Sequence, residues 1–136
     1  MNILMMTNTY TQLVGGLERS VKNFTHAYRK RRHRVVVVTP TYQGMPRHER
    51  DVIRVPAIQR FNGTDFSVRL SIPGLLDKRL GSFRPHLVHA HHPFLLGDSA
   101  LRVAASRRIP LVFTHHTLFE QYTHYLPIPS KAAERF

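Results

Sequence analysis

The sequence predicts an α/β domain, an open parallel sheet with helices on both faces. Short apolar runs alternate with amphipathic segments along the chain, the order that builds strand-helix-strand units. One run, Val35 to Thr39, reads VVVVT, the continuous β-branched pattern of a strand buried on both faces. The chain has 136 residues, 42% hydrophobic and 21% charged, which is one domain's length with a globular balance.

Each element follows from local pattern. Asn2 to Asn8 is a short apolar run that reaches polar residues and a glycine pair, so it reads as a buried strand entering a loop. From Leu17, apolar residues recur at Val21, Phe24 and Tyr28, the period of an inward helix face. The helix ends among Arg29 to Arg34, five cations and a histidine placed where its macrodipole favours them. The strand Val35 to Thr39 stops at Pro40, and Asp51 to Pro56 reads as a short third strand. A helix is expected within Ile72 to Phe83, blurred at its start by Pro73 and Gly74. Leu87 to His91 is a strand after Pro85. Ser99 to Arg108 is a helix with Leu101, Ala104 and Ala105 inward, and Leu111 to Thr114 is a further strand.

Charge is the unusual quantity. Twenty Lys and Arg against eight Asp and Glu give +12, with ten histidines besides. Such a surface attracts polyanions, whether nucleic acid, anionic lipid or a phosphate-bearing small molecule. Nucleic acid is disfavoured, because no aromatic residues are interleaved with the basic ones and no recognition-helix module is present. Arg47, Arg50, Arg54, Arg60 and Arg69 extend the basic character, and Phe61, Phe66, Leu75 and Leu76 are apolar residues near loops that can reach a membrane interface. The absence of cysteine rules out a disulfide framework or thiol nucleophile. No signal peptide or membrane span is read, so the chain is expected to be cytoplasmic, resting peripherally on the inner face of a membrane.

Gly15 and Gly16 lie between the first strand and the first helix. Adjacent glycines there remove Cβ atoms and leave helix N-terminal amides open to an anionic oxygen, or they simply permit a tight turn. A dinucleotide fingerprint is disfavoured, since GxGxxG is absent.

The stretch Gly15-Gly16-Leu17-Glu18 resembles the GGxE loop of family-4-type glycosyltransferases of the GT-B fold. AYRKRRHRVVVVTP from Ala27 resembles that family's passage into its second strand. RPHLVHAH from Arg84 and PLVFTHHT from Pro110 are similar to its fourth and fifth strands. HHPFLLGDSA from His91 resembles a further segment of that family, and HTLFEQYTHYLP from His116 is similar to a stretch of members that glycosylate lipids such as diacylglycerol.

The resemblance implies a Rossmann-like, acceptor-side N-terminal domain over residues 1–136, lacking the C-terminal donor-binding domain. It implies part of a retaining transferase that moves a sugar from a nucleotide-diphosphate sugar to an acceptor hydroxyl, with the 136 residues inactive alone and no cofactor beyond that co-substrate. By the same resemblance His116 is the catalytic histidine beside the donor sugar, and Gly15, Gly16, His116 and Thr117 meet the donor's phosphates or sugar. His91, His92, Glu120, Tyr122, His124 and Tyr125 are the implied acceptor side.

Two other readings stay open. His89 and His91 share a strand face, so HxH can ligate zinc, which would suit a metallohydrolase, but the further ligands and an Asp partner are lacking and no metal is expected. The same histidines can simply pack with satisfied nitrogens. The second is a non-catalytic basic module for nucleic acid or membrane.

Overall fold

The computed structural model describes residues 1–10, 15–41, 44–46, 48–58, 68–69, 74–93 and 95–116. Along the chain run β1 (Asn2–Met6), α1 (Gly16–Lys30), β2 (Arg34–Pro40), β3 (Val52–Val55), β4 (Ala57–Ile58), β5 (Val68–Arg69), α2 (Leu75–Leu80), β6 (Leu87–Ala90), α3 (Leu96–Arg107) and β7 (Leu111–Phe113). Five strands form one parallel sheet in the order β3-β2-β1-β6-β7. The order reverses between β1 and β6, and in such sheets ligands enter the crevice outside the carboxyl ends of the strands at that point.

Alternation along the strands sorts side chains to two faces. Leu4, Met6, Val36, Val38, Val88 and Ala90 meet Leu76 and Leu80 of α2 and Leu96, Ala100 and Ala104 of α3. Ile3, Met5, Val35 and Val37 meet Val21 of α1, with Leu17, Phe24 and Tyr28 against them. The helical face expected from Leu17 onward is therefore the one buried. The central strand is dry on both sides, with Leu4, Met5 and Met6 fully buried.

Two helices end alike without glycine. Past α1, Arg32 adopts φ 63°; its N–H donates to the Arg29 carbonyl, and the His33 N–H to the Tyr28 carbonyl. Past α3, Arg108 at φ 53° repeats the pattern, with Ile109 N–H reaching the Ala104 carbonyl. This is the Schellman closure, and a left-handed residue with a Cβ costs it about 1 kcal/mol relative to glycine.

Three expectations need correction. The helix α3 begins at Leu96, three residues before Ser99, and its inward face is Leu96, Ser99, Ala100 and Ala104. Leu101 and Ala105 point outward, because the stripe that packs on the sheet runs through Leu96, Ala100 and Ala104 at a spacing of four. Leu76 is packed in the core against the sheet and is not available to a membrane, while Phe61 and Phe66 lie outside the described residues. Arg54 is not part of the basic surface. It is buried, its guanidinium donates to both Glu49 carboxylate oxygens at 3.1 Å and to the Pro40 carbonyl at 3.1 Å. The antiparallel pair β4-β5 was not foreseen.

Candidate active site

The helix α1 opens at the carboxyl edge of the sheet. Gly15 is its N-cap, with φ −119° and ψ 171°, a conformation open to any residue. A Cβ there would meet only the flexible carboxylate end of Glu18, which has to swing aside to admit it. Glu18 is buried in the first turn, where the helix dipole favours a negative charge. A Cβ on Gly16 would meet nothing within 4 Å among the described residues. The two glycines thus differ, one beside an internal carboxylate and the other without a described neighbour at its Cβ position.

Strand β6 projects His89 and, just beyond its end, His91 to the α1 side. His89 is held at both ring nitrogens, Nδ1 by the Tyr28 hydroxyl at 3.1 Å and Nε2 by the Thr114 hydroxyl at 2.7 Å. It therefore links α1 to the residue after β7. His91 Nδ1 lies 2.9 Å from His116 Nε2, and the two rings stack at 5.2 Å between centroids. Phe24 packs edge-on to His89 at 5.1 Å and tilted to His91 at 5.7 Å. His91 Nε2 and His92 Nε2 are buried without a hydrogen-bond partner among the described residues.

The start of α3 closes the crevice on the other face. The Leu96 N–H donates to Asn8 Oδ1 at 3.0 Å, so a residue after β1 satisfies one of the helix's orphan donors. A Cβ on Gly97 would overlap the His92 carbonyl, so the helix backbone lies directly against the residue that leaves β6.

Burial makes these imidazoles neutral at pH 7. Desolvation, reinforced by His116, lowers His89 from its ordinary value to about 4. Desolvation and the neighbouring histidines His89, His116 and His92 lower His91 to about 3. His92 falls to about 4 through desolvation and His116, against an opposing pull from Glu18. His116 is lowered by desolvation and His115, again opposed by Glu18. The Glu18 charge therefore reaches both His92 and His116, which ties the α1 N-terminus to the ends of β6 and β7. Neutral imidazoles serve as paired hydrogen-bond donors and acceptors rather than as cations. Among the described residues, no three His, Cys, Asp or Glu side chains are grouped to hold a metal ion.

The structure brings Gly15, His91, His92 and His116 to one edge of the sheet, with Gly16 beside them in the α1 first turn. Thr117, Glu120, Tyr122, His124 and Tyr125 lie outside the described residues. Sequence reasoning passed over Glu18, Asn8, Tyr28 and Thr114. Glu18 carried a signal, an acid three residues past a helix N-cap. The other three are polar residues in ordinary settings whose partners are remote in sequence.

A profile described as Glycosyltransferase Family 4 matches residues 14–136. The chain is 33% identical over its whole length to alpha-monoglucosyldiacylglycerol synthase of Acholeplasma laidlawii, covering 34% of that protein. It is 28% identical to the enzyme of the same name from Streptococcus pneumoniae strain ATCC BAA-255 / R6, over 93% of this chain and 29% of that one. The chain thus spans about a third of the length of the curated relatives it matches. With its parallel sheet, its crevice at the strand-order reversal and its match across nearly every residue, this chain belongs to glycosyltransferase family 4.

Proposed function

We propose that the chain is the acceptor-side Rossmann-like half of a retaining glycosyltransferase, which moves a sugar from a nucleotide-diphosphate sugar to a hydroxyl of a diacylglycerol-type lipid. The observation that carries the reading is the meeting of the α1 N-terminus with the His91–His116 pair at the reversal point of the sheet. There the bond from the sugar's anomeric carbon to the diphosphate breaks, and a bond from that carbon to the acceptor oxygen forms as the hydroxyl proton leaves. Charge accumulates on the departing diphosphate. Preorganised N–H donors are the means a protein has of stabilising it without a covalent nucleophile. Gly16 leaves the approach to such amides open, and the neutral His116 is suited to hydrogen-bond sugar hydroxyls. The relatives' names specify an alpha product, which from an α-linked donor is retention.

His116→Ala in the full-length protein tests the assignment. Turnover should fall by roughly a hundredfold, the scale of losing one preorganised donor, in a protein that still folds. Wild-type turnover would remove His116 from the site. The 136 residues alone should transfer no sugar, since most donor contacts belong to the second domain implied by the family; measurable transfer by the purified chain would overturn that.

A membrane-surface role is supported by a basic hollow of about 420 Å³ at the amino end of β2, lined by Arg29, His33, Arg34, Val35, Arg50 and Asp51. No helix among the described residues is long and apolar enough to cross a membrane. Sedimentation with vesicles should show binding that rises with anionic lipid and weakens with salt. Preference for oligonucleotides over such vesicles would favour a nucleic-acid module instead.

A further inference from the structure

We propose that His91 is the positioning residue for His116, donating its Nδ1–H to His116 Nε2 so that His116 is held as the tautomer protonated at Nδ1 and presents that N–H to substrate. The inference rests on the reading of His116 as the group that faces substrate.

Two nitrogens 2.9 Å apart share one proton in one of two ways. If His116 Nε2–H donates to His91, then the His91 proton must sit on Nε2. That nitrogen is buried with no partner among the described residues, in a residue only 2% exposed. A buried N–H without an acceptor is among the rarest groups in folded proteins, whereas a bare acceptor nitrogen is tolerated more readily. The alternative places the proton of His91 on Nδ1, where it is bonded, and leaves Nε2 as an unprotonated lone pair. His116 then accepts at Nε2 and, being neutral, carries its own proton on Nδ1. Neutral histidine side chains in water favour the opposite tautomer, protonated at Nε2, so the pair imposes a state that His116 would not choose by itself.

The ring of His91 is fixed well enough to impose it. His89 lies 4.2 Å away between centroids, Phe24 5.7 Å, and His116 stacks at 25° between planes. His116 is only part-buried and lies three residues past the end of β7, so its orientation depends on this partner more than on packing. The role resembles that of groups that fix which nitrogen of a working histidine is protonated.

The test uses the full-length protein with 15N-labelled histidines. Long-range proton–nitrogen spectra should show His91 and His116 both protonated at Nδ1. His91→Leu removes the donor, and His116 should shift to the Nε2–H form. The turnover number should fall by about tenfold or more, the scale of losing an orienting partner, with donor KM within about twofold. Rescue distinguishes positioning from packing. His91→Asn places an amide N–H at the same δ position, and should restore both the His116 tautomer and most of kcat, while His91→Gln, with its amide one bond further out, should not. In His116→Ala, adding His91→Leu should cost nothing more. The proposal is overturned if wild-type His116 is protonated at Nε2, if its tautomer is unmoved in His91→Leu, or if His91→Asn restores neither tautomer nor turnover. Should His116→Ala alone keep full activity, the assignment of His116 to the site fails, and the tautomer spectra still report whether His91 governs it.

Discussion

Gly15 and Gly16 stand side by side and answer to different constraints. Gly15 has an ordinary extended backbone, so a side chain there is opposed only by the Glu18 carboxylate that fills the space. That carboxylate is the far end of a flexible side chain, so Gly15→Ala should cost the fold no more than about 1 kcal/mol, the low end of overpacking. The same substitution in a Glu18→Ala background should cost far less, because the obstacle has gone. Urea unfolding of the four proteins in that cycle measures the coupling, and equal costs in both backgrounds would detach Gly15 from Glu18. Gly16→Ala meets no atom of the described residues and sits inside a helix where alanine is favoured. Stability should hold or rise slightly. Any rise in the donor KM of the full-length protein then reports crowding of the ligand's approach and nothing about folding.

At the scale of elements, α3 shows what patterning conveys and where it stops. Its existence and its end among arginines were legible from the run of small and apolar residues before Pro110. Its start was not. Leu95 precedes it at φ 58°, a left-handed value unusual for leucine, and the first free N–H of the helix is satisfied by Asn8, 88 residues earlier. Neither leaves a local signature of the Ser, Thr or Asp N-cap kind. The β1-α1-β2 unit was legible almost residue by residue, because a central strand dry on both faces and a helix dry on one write strong periodicities. The site was half legible. The GGxE, HxH and PLVFTHHT stretches marked Gly15, Gly16, His91 and His116, but the hydrogen bond between the two histidines, the Tyr28–His89–Thr114 chain and the burial of Glu18 arise only when distant segments meet. Gly97 belongs with these hidden constraints. Because a Cβ on it would overlap the His92 carbonyl, Gly97→Ala must push α3 off the end of β6. Loss of about 1–3 kcal/mol is expected despite the better helix propensity of alanine. A variant as stable as the parent in urea would show that the backbone gives way cheaply there.

Across the whole molecule, the buried histidines make stability a function of pH even though the protein is strongly basic. His89, His91 and His92 titrate near 6.5 in an unfolded chain, and in the fold they are depressed to about 4, 3 and 4. Between those values the unfolded state binds more protons than the folded one, so stability rises with pH there. It is fully present above about pH 7 and is lost as the pH falls through the range from 6.5 to 4. Each histidine contributes a slope of roughly 1.4 kcal/mol per pH unit, and His89 alone about 3 kcal/mol over its full range. The groups facing them do not reverse the sign. Tyr28 and Thr114 hold His89 through hydroxyls that do not ionise in this range, His116 adds a like charge when protonated, and Glu18 opposes the trend only at His92 and His116. Beyond desolvation, His91 is lowered by charge on His89, His116 and His92, so the three titrate as a coupled set whose slopes do not simply add. Urea midpoints should be level from pH 8 to 7 and fall steeply below 6.5. His89→Gln removes one titrating group and should flatten the fall, however much it lowers the midpoint at pH 7. A level profile down to pH 4.5 in the parent protein would mean that these imidazoles are hydrated and take up protons inside the fold, and the neutral paired histidines at the strand ends would then be the wrong description of the site.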